Sequence, residues 1–231
     1  MSKLVDARLE IPTTPQNFGP APPSITLDNI THYFGPRCVF RKVSASVSAG
    51  QILVVSGSNG SGKSTLLRII AGLLTASEGS AAVAVDGKDL DESARRPHIG
   101  YVAPDLVLYR ELTGVENLEF FAELHGVRLD RSALIDLLTR VGLRGRGRDL
   151  VGGYSSGMRQ RLKYAFALAH SPPILLLDEP TANLDVDGIQ IVESIVEAQQ
   201  RRPEGGLTIV ATNEVRELAW SPLRVVLDRQ P

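Results

Sequence analysis

The sequence predicts an α/β fold: a mainly parallel sheet core, an N-terminal antiparallel β portion and an inserted α-helical subdomain. Three observations predict it. The apolar runs Ile52-Leu53-Val54-Val55 and Ile174-Leu175-Leu176-Leu177 lack polar alternation and read as strands buried on both faces, as in parallel sheets. Helical spacing follows each run, at Leu66, Ile69, Ile70 and Leu73 and again at Ile189, Val192, Ile195 and Val196. Between these halves, residues from about 106 to 170 carry helical periodicity alone, the pattern of a block set into a strand–helix alternation.

In chain order, residues 1–24 hold Pro12, Pro15, Pro20, Pro22 and Pro23 among small polar residues and read as a flexible tail. The folded domain is expected over 25–231. Ile25, Leu27 and Ile30 suggest a strand leading to Tyr33-Phe34-Gly35. Val43, Ala45 and Val47 alternate as a second, and Ala49-Gly50 turns the chain into the strand at Ile52. Ala81 to Val85 is a short strand ended by the turn signal Asp86-Gly87, and Ile99-Gly100-Tyr101-Val102 is another buried strand. Three helices follow. Leu118, Phe121 and Ala122 mark the first, and Leu134, Leu137, Leu138 and Val141 the second. The third runs from about Ser156, with Met158, Leu162, Ala165, Phe166 and Ala169 on one face. Further strands are expected at Leu207 to Ala211 and Arg224 to Leu227.

Composition narrows the function classes. With 231 residues, 43% of them hydrophobic, the chain can bury a sizeable core. A net charge of −1 gives no reason to expect nucleic acid as a partner. The one cysteine, Cys38, cannot form an internal disulfide and suits a reducing compartment. No apolar run approaches the ~18–20 residues of a membrane span, and the N-terminus lacks signal-peptide features, so a soluble cytoplasmic chain is expected.

The chemistry centres on Gly57-Ser58-Asn59-Gly60-Ser61-Gly62-Lys63-Ser64-Thr65, which fits G-x-x-x-x-G-K-[ST] between a strand and a helix. Its glycines let the backbone approach an anion, and its successive N–H groups form a nest at the positive end of a helix. Lys63 adds a charge for the phosphates, and the Ser64 hydroxyl is placed to ligate Mg²⁺. The pattern in this setting predicts a P-loop that binds a nucleoside triphosphate. Asp178-Glu179 ends the strand Ile174 to Leu177: Asp178 can orient Mg²⁺, and Glu179 can polarise an attacking water. Ser155, Ser156 and Gly157 open a helix and offer N–H groups and a hydroxyl to an anion, although Ser caps many helices for stability only.

The order P-loop, helical block, Ser155-x-Gly157-x-x-Gln160-Arg161, Leu175 to Pro180 and Asn183-Leu184-Asp185 resembles the ATP-binding cassette of ABC transporters, over about Ile25 to Leu227. The resemblance implies ATP with Mg²⁺ at the P-loop and Glu179 as catalytic base. Ser155 and Gly157 match the signature motif, with Ser156 where the family usually has its first glycine, and Ala182 to Asp185 resembles the D-loop. Phe34, with Tyr33 as neighbour, sits where the family stacks an aromatic on adenine. Two cassettes in the family sandwich two ATPs, each site joining one chain's P-loop to the other's signature serine, and together they drive transmembrane subunits. A homodimer held at the inner face of the cell membrane by such partners is therefore expected. The segment Ser56 to Leu74 and Asp185-Val186-Asp187-Gly188 carry a narrower likeness to the small cassette of the cytochrome c maturation haem exporter.

Two positions depart from the family pattern. Ala103-Pro104-Asp105 stands where a glutamine usually follows the strand ending near Val102; Pro104 cannot replace it, and Asp105 is a candidate substitute. Thr212-Asn213 stands where the family has Thr-His, the histidine contacting the γ-phosphate. These departures leave open a slow, regulatory cassette. A soluble cassette ATPase serving DNA, ribosomes or iron–sulfur assembly is another class; long coiled coils would mark the DNA type and tandem cassettes the ribosomal type, and neither is present. The guanine-reading N-K-x-D is also lacking.

Overall fold

A computed structural model describes residues 21–227; the expected tail lies outside these described residues as far as residue 20. The N-terminal β portion is a four-stranded antiparallel sheet in the order β2-β1-β4-β5, formed by β1 (Ser24–Phe34), β2 (Arg37–Ser48), β4 (Glu78–Val85) and β5 (Lys88–Leu90). β1 starts one residue ahead of its apolar pattern because Ser24 pairs with both Ser48 and Ala84. β2 is much longer than the alternation at Val43, Ala45 and Val47 suggests. Register shifts between Leu27 and Tyr33 break the two-residue period and hide its first half. β5 was not expected. It is three residues long and polar, yet it closes a hairpin across Asp86 (φ 53°) and Gly87 (φ 73°), the left-handed pair a tight hairpin turn requires.

The second sheet is parallel, in the order β6-β7-β8-β3-β9, with β3 (Ile52–Ser56), β6 (Ile99–Val102), β7 (Ile174–Asp178), β8 (Leu207–Thr212) and β9 (Arg224–Val226). Both faces are covered, which is why its strands are continuously apolar. Leu53, Val55, Ile174 and Leu176 pack with the antiparallel sheet and α1 (Lys63–Ile70). Ile52, Val54, Leu175 and Leu177 face the opposite core, with α5 (Val186–Gln200). α6 (Val215–Leu218) follows β8.

Between β6 and β7 lie α2 (Gly114–Leu124), α3 (Arg131–Arg140) and α4 (Ser156–Leu168), which bury Leu118, Leu134, Leu138 and Leu162 in that opposite core. Each helix starts at a polar cap. Thr113 Oγ1 accepts from Glu116 N (3.2 Å) while Glu116 accepts from Thr113 N (2.8 Å), a reciprocal capping box. Asp130 caps α3 and Ser155 caps α4.

Register positions the site. Ser56 pairs with Thr212, Asp178 with Ala211 and Val102 with Leu177. Four connections therefore leave the parallel sheet side by side at its C-terminal edge, where open parallel sheets bind ligands. They carry the P-loop, Glu179, Asn213 and residues 103–105.

Candidate nucleotide-binding site

Lys63, the first residue of α1, is buried within its own loop. Its ammonium donates to the carbonyls of Gly57 (2.8 Å) and Ser58 (3.3 Å) and to Asn213 Oδ1 (3.2 Å). Burial lowers its pKa, and Glu179 and Asp178 act in the opposite direction. Two glycines make this wrap possible. At Gly62 (φ 101°) a Cβ would fall 2.5 Å from Val39 Cγ1, and at Gly57 (φ 148°) one would fall 2.7 Å from Ser61 Oγ. Among the described residues, no group hydrogen-bonds the buried Ser61 Oγ.

A cavity of about 300 Å³ opens over this loop. Asn59, Gly60, Gly62, Lys63, Ser64 and Thr65 form its floor, with Glu179 beside them and Phe34, Arg37 and Val39 across it. Phe34 stands at the mouth, 54% exposed, edge-on to His32 at 4.7 Å. Tyr33 does not line the cavity; it lies under the Arg41 guanidinium, 5.9 Å from its ring centre. A larger cavity of about 710 Å³, flanked by α2 and α3, includes none of the motif residues.

The two acids differ in setting. Asp178 is buried at the end of β7, and burial raises its pKa, with the charge of Glu179 adding to the rise; the nearby Ser64 hydroxyl and the charge of Lys63 lower it in part. Glu179 turns away with φ 49°, a conformation uncommon for this residue type, held by its N–H donating to Ala211 O at 2.9 Å. Among the described residues no cluster of three His, Cys, Asp or Glu side chains could hold a metal alone. Ser64 and Asp178 together fit Mg²⁺, which keeps several waters and takes phosphate oxygens as ligands.

Ser155, Gly157 and Asp185 are not in this cavity. Ser155 Oγ accepts from Met158 N (3.1 Å), and Asp185 accepts from Gly188 N (2.8 Å) to cap α5. Gly157 lets α4 approach the following loop: a Cβ there would lie 3.3 Å from Asn183 O. One chain thus assembles the phosphate half of a site and carries the signature elements elsewhere. Asp105, the candidate substitute, lies outside the cavity. Arg68 of α1 captures its carboxylate at 2.7 Å.

Arg37 and Val39 escaped the sequence pattern, although both sit on the strand that returns from Phe34. Glu217 escaped it too: fully buried on α6, it accepts from Thr181 N (3.1 Å) and from the Thr181 hydroxyl, and burial raises its pKa. Its sequence neighbours Glu214 and Arg216 make it one charge among several, so no local signal marks it.

In sequence and fold the chain is similar to known ATP-binding proteins. The family model described as ABC transporter matches residues 40–182. The ABC transporter ATP-binding protein YdbJ of Bacillus subtilis is 35% identical over 90% of this chain and 67% of its own. The cytochrome c biogenesis ATP-binding export protein CcmA of Xanthomonas axonopodis pv. citri is 37% identical over 84% and 88%. Among solved structures, a dimeric post-hydrolysis ATP-binding cassette bound to ADP and Pi superposes with a TM-score of 0.77 at 25% identity, covering 90% of this chain and 97% of that one. No helix among the described residues is long and apolar enough to cross a membrane. The chain belongs to the ABC transporter family, as one of its ATP-binding cassettes.

Proposed function

We propose that this cassette binds and hydrolyses ATP as a homodimer, and that its closing and opening drive a separate transmembrane transporter from the cytoplasmic face of the membrane. The observation that carries this reading is the split site. Lys63, Ser64 and Glu179 line one cavity, and Ser155 and Gly157 of the same chain do not. A twofold pairing of two copies lets each signature segment complete the other's cavity.

In the reaction, the loop N–H groups and Lys63 hold the β- and γ-phosphates, exchanging the lysine's carbonyl contacts for charge-assisted ones. Phe34 stacks on the base at the cavity mouth. Glu179 takes a proton from water as that water's oxygen bonds to the γ-phosphorus, and the bond to the ADP oxygen breaks. Ser64 and Asp178 would hold Mg²⁺, which would supply positive charge against the phosphate oxygens. The relatives favour a transporter subunit over a soluble ATPase; one is named for cytochrome c biogenesis export and another, from Streptococcus pyogenes, for lantibiotic transport. Cargo choice then belongs to the membrane partner.

Two variants test this. Lys63→Ala should fold normally and lose ATP affinity by calorimetry; unchanged affinity removes the loop assignment. Glu179→Gln should accumulate an ATP-bound dimer by light scattering. A variant that stays monomeric with ATP and Mg²⁺, or hydrolyses at the normal rate, removes the sandwich.

A further inference from the structure

The segment Arg144-Gly145-Arg146-Gly147-Arg148 sets three arginines close together in a chain whose net charge is −1. Its glycines set its course. Gly145 turns at φ 78°, and a Cβ on Gly147 would fall 2.8 Å from Leu138 Cδ1 and 2.9 Å from Val115 Cγ2, so the loop lies close on α2 and α3. Hydrogen bonds hold it there: Val115 N donates to Gly147 O (2.9 Å), Gly114 N to Asp149 O (3.2 Å) and the Tyr154 hydroxyl to Arg146 O (2.7 Å). The cavity of about 710 Å³ beside the loop thus has a fixed wall. Its aliphatic lining includes the buried Leu134, Leu138 and Leu143 and also Ile135, which is 48% exposed. Arg131, Arg144 and Arg148 line it too, and among the described residues none of them has a carboxylate within ion-pair distance. Arg146, which does not line the cavity, is paired with Asp149 at 3.0 Å. Two acids also line it, Glu116 and Glu119. Glu116 is engaged by Thr113 at the α2 cap, and even with both counted one positive charge is in excess.

We propose that this cavity is a second ligand site, separate from the nucleotide's, and that it takes an alkyl chain ending in an anionic head. Arginine forks bind a carboxylate or a phosphate head through paired, charge-assisted hydrogen bonds. The aliphatic lining removes the chain from water. No aromatic side chain lines the cavity, so a nucleotide base or an aromatic acid would gain no stacking there. Water fills such a space poorly, because an ordered water needs roughly two to four polar partners and aliphatic side chains offer none. The volume falls within the range of about 300–1,000 Å³ usual for small-molecule sites. The three arginines and Ile135 are then explained together: the head takes up the charge, and the chain covers the apolar side chain that α3 leaves in solvent.

Decanoate below its micellar concentration is the probe, titrated into the whole chain by calorimetry. Wild type should bind it saturably, one per chain. Arg144→Gln combined with Arg148→Gln should weaken binding at least about tenfold. Ile135→Asp, at an exposed position, should weaken it comparably by setting an anion against the chain. Butyrate, with a shorter chain, should bind at least about a hundredfold more weakly, and decanol, which has no charge, at least about tenfold. ATP affinity should stay within about twofold of wild type in these variants, because none of the three residues lines the P-loop cavity, and this shows that they fold. Cosedimentation with phosphatidylglycerol vesicles, against phosphatidylcholine vesicles, separates the two sources of such a ligand. Vesicle binding that the double arginine variant loses assigns a membrane lipid; decanoate binding without vesicle binding assigns a free acyl anion. Failure of decanoate and of both vesicles to bind would overturn the site. Equal affinity for butyrate and decanoate, or wild-type decanoate affinity in either variant, would overturn it as well.

Discussion

Asn213 Oδ1 lies 3.2 Å from the Lys63 ammonium, and the Asn213 amide donates across the loop to Asn59 Oδ1 at 2.6 Å. The residue at the histidine position of the family thus reaches both the start of α1 and the crest of the P-loop. What it lacks is charge, not reach.

A neutral amide stabilises a developing phosphate charge less than a partly cationic imidazole does. Charge-assisted hydrogen bonds are about twice as strong as neutral ones, a difference of ~1–1.5 kcal/mol, or about tenfold in rate. Wild-type hydrolysis should be slow, and Asn213→His should turn over about tenfold faster by phosphate release. A fast wild type, or a variant no faster than it, would contradict this.

Phe34 should govern affinity without governing stability. Its ring is 54% exposed and packs only edge-on against His32, so Phe34→Ala removes little buried surface. Lost stacking should weaken ATP binding by ~1–3 kcal/mol, and GTP binding alike, because stacking tolerates any base. Calorimetry with both nucleotides checks it; an unchanged affinity assigns base binding elsewhere.

The legible parts of the fold were those whose physics is local. Ile52 to Val55 and Ile174 to Leu177 must be apolar throughout because the sheet is covered on both faces, so their sequence alone shows burial. The P-loop and the Asp178-Glu179 step each lie at the end of one strand, so their residues are close in sequence; Gly57, Gly60 and Gly62 all fall in the one turn out of β3. β5 and the first half of β2 were illegible because their partners, not their own period, stabilise them. Arg37 enters the cavity only through the β1–β2 hairpin, and Asp105 is turned aside by Arg68, 37 positions away. The Arg68–Asp105 pairing is too distant in sequence to leave any mark in a local pattern.

Asp178 should trade stability for function. Burial raises its folded pKa above the ordinary value, so the fold disfavours the carboxylate. For a carboxyl shifted this way, stability of the nucleotide-free protein grows as pH falls through the raised pKa. Asp178→Asn removes that charge and keeps the shape, so the nucleotide-free variant should melt above wild type. It should also lose the extra stabilisation that Mg²⁺ adds to ATP. Scanning calorimetry with ATP, with and without Mg²⁺, decides; a lower melting point with Mg²⁺ linkage intact would contradict the assignment.

The last prediction concerns pH and lies away from the nucleotide. His170, just past α4, stacks on His125 at the end of α2, ring centres 4.7 Å apart and planes within 11°. Among the described residues neither His170 ring nitrogen has a well-formed hydrogen bond, although the nearby Ile99 backbone partly favours the charged ring. Burial first, then the neighbouring His125 and His98, pulls its pKa from 6.5 to about 4. The fold thus favours neutral imidazole, and its contribution is fully present above pH 6.5. As pH falls from 6.5 towards 4 the unfolded chain takes up the proton first, so stability declines through that window. Partial exposure reduces the effect to ~2 kcal/mol, or about 4–8 °C in melting temperature for a chain of this size. His170→Phe keeps the stack and removes the titration. The melting difference between wild type and variant should shift against wild type by that amount between pH 6.5 and 4. Parallel melting curves across the window would show that His170 is free to charge in the folded protein.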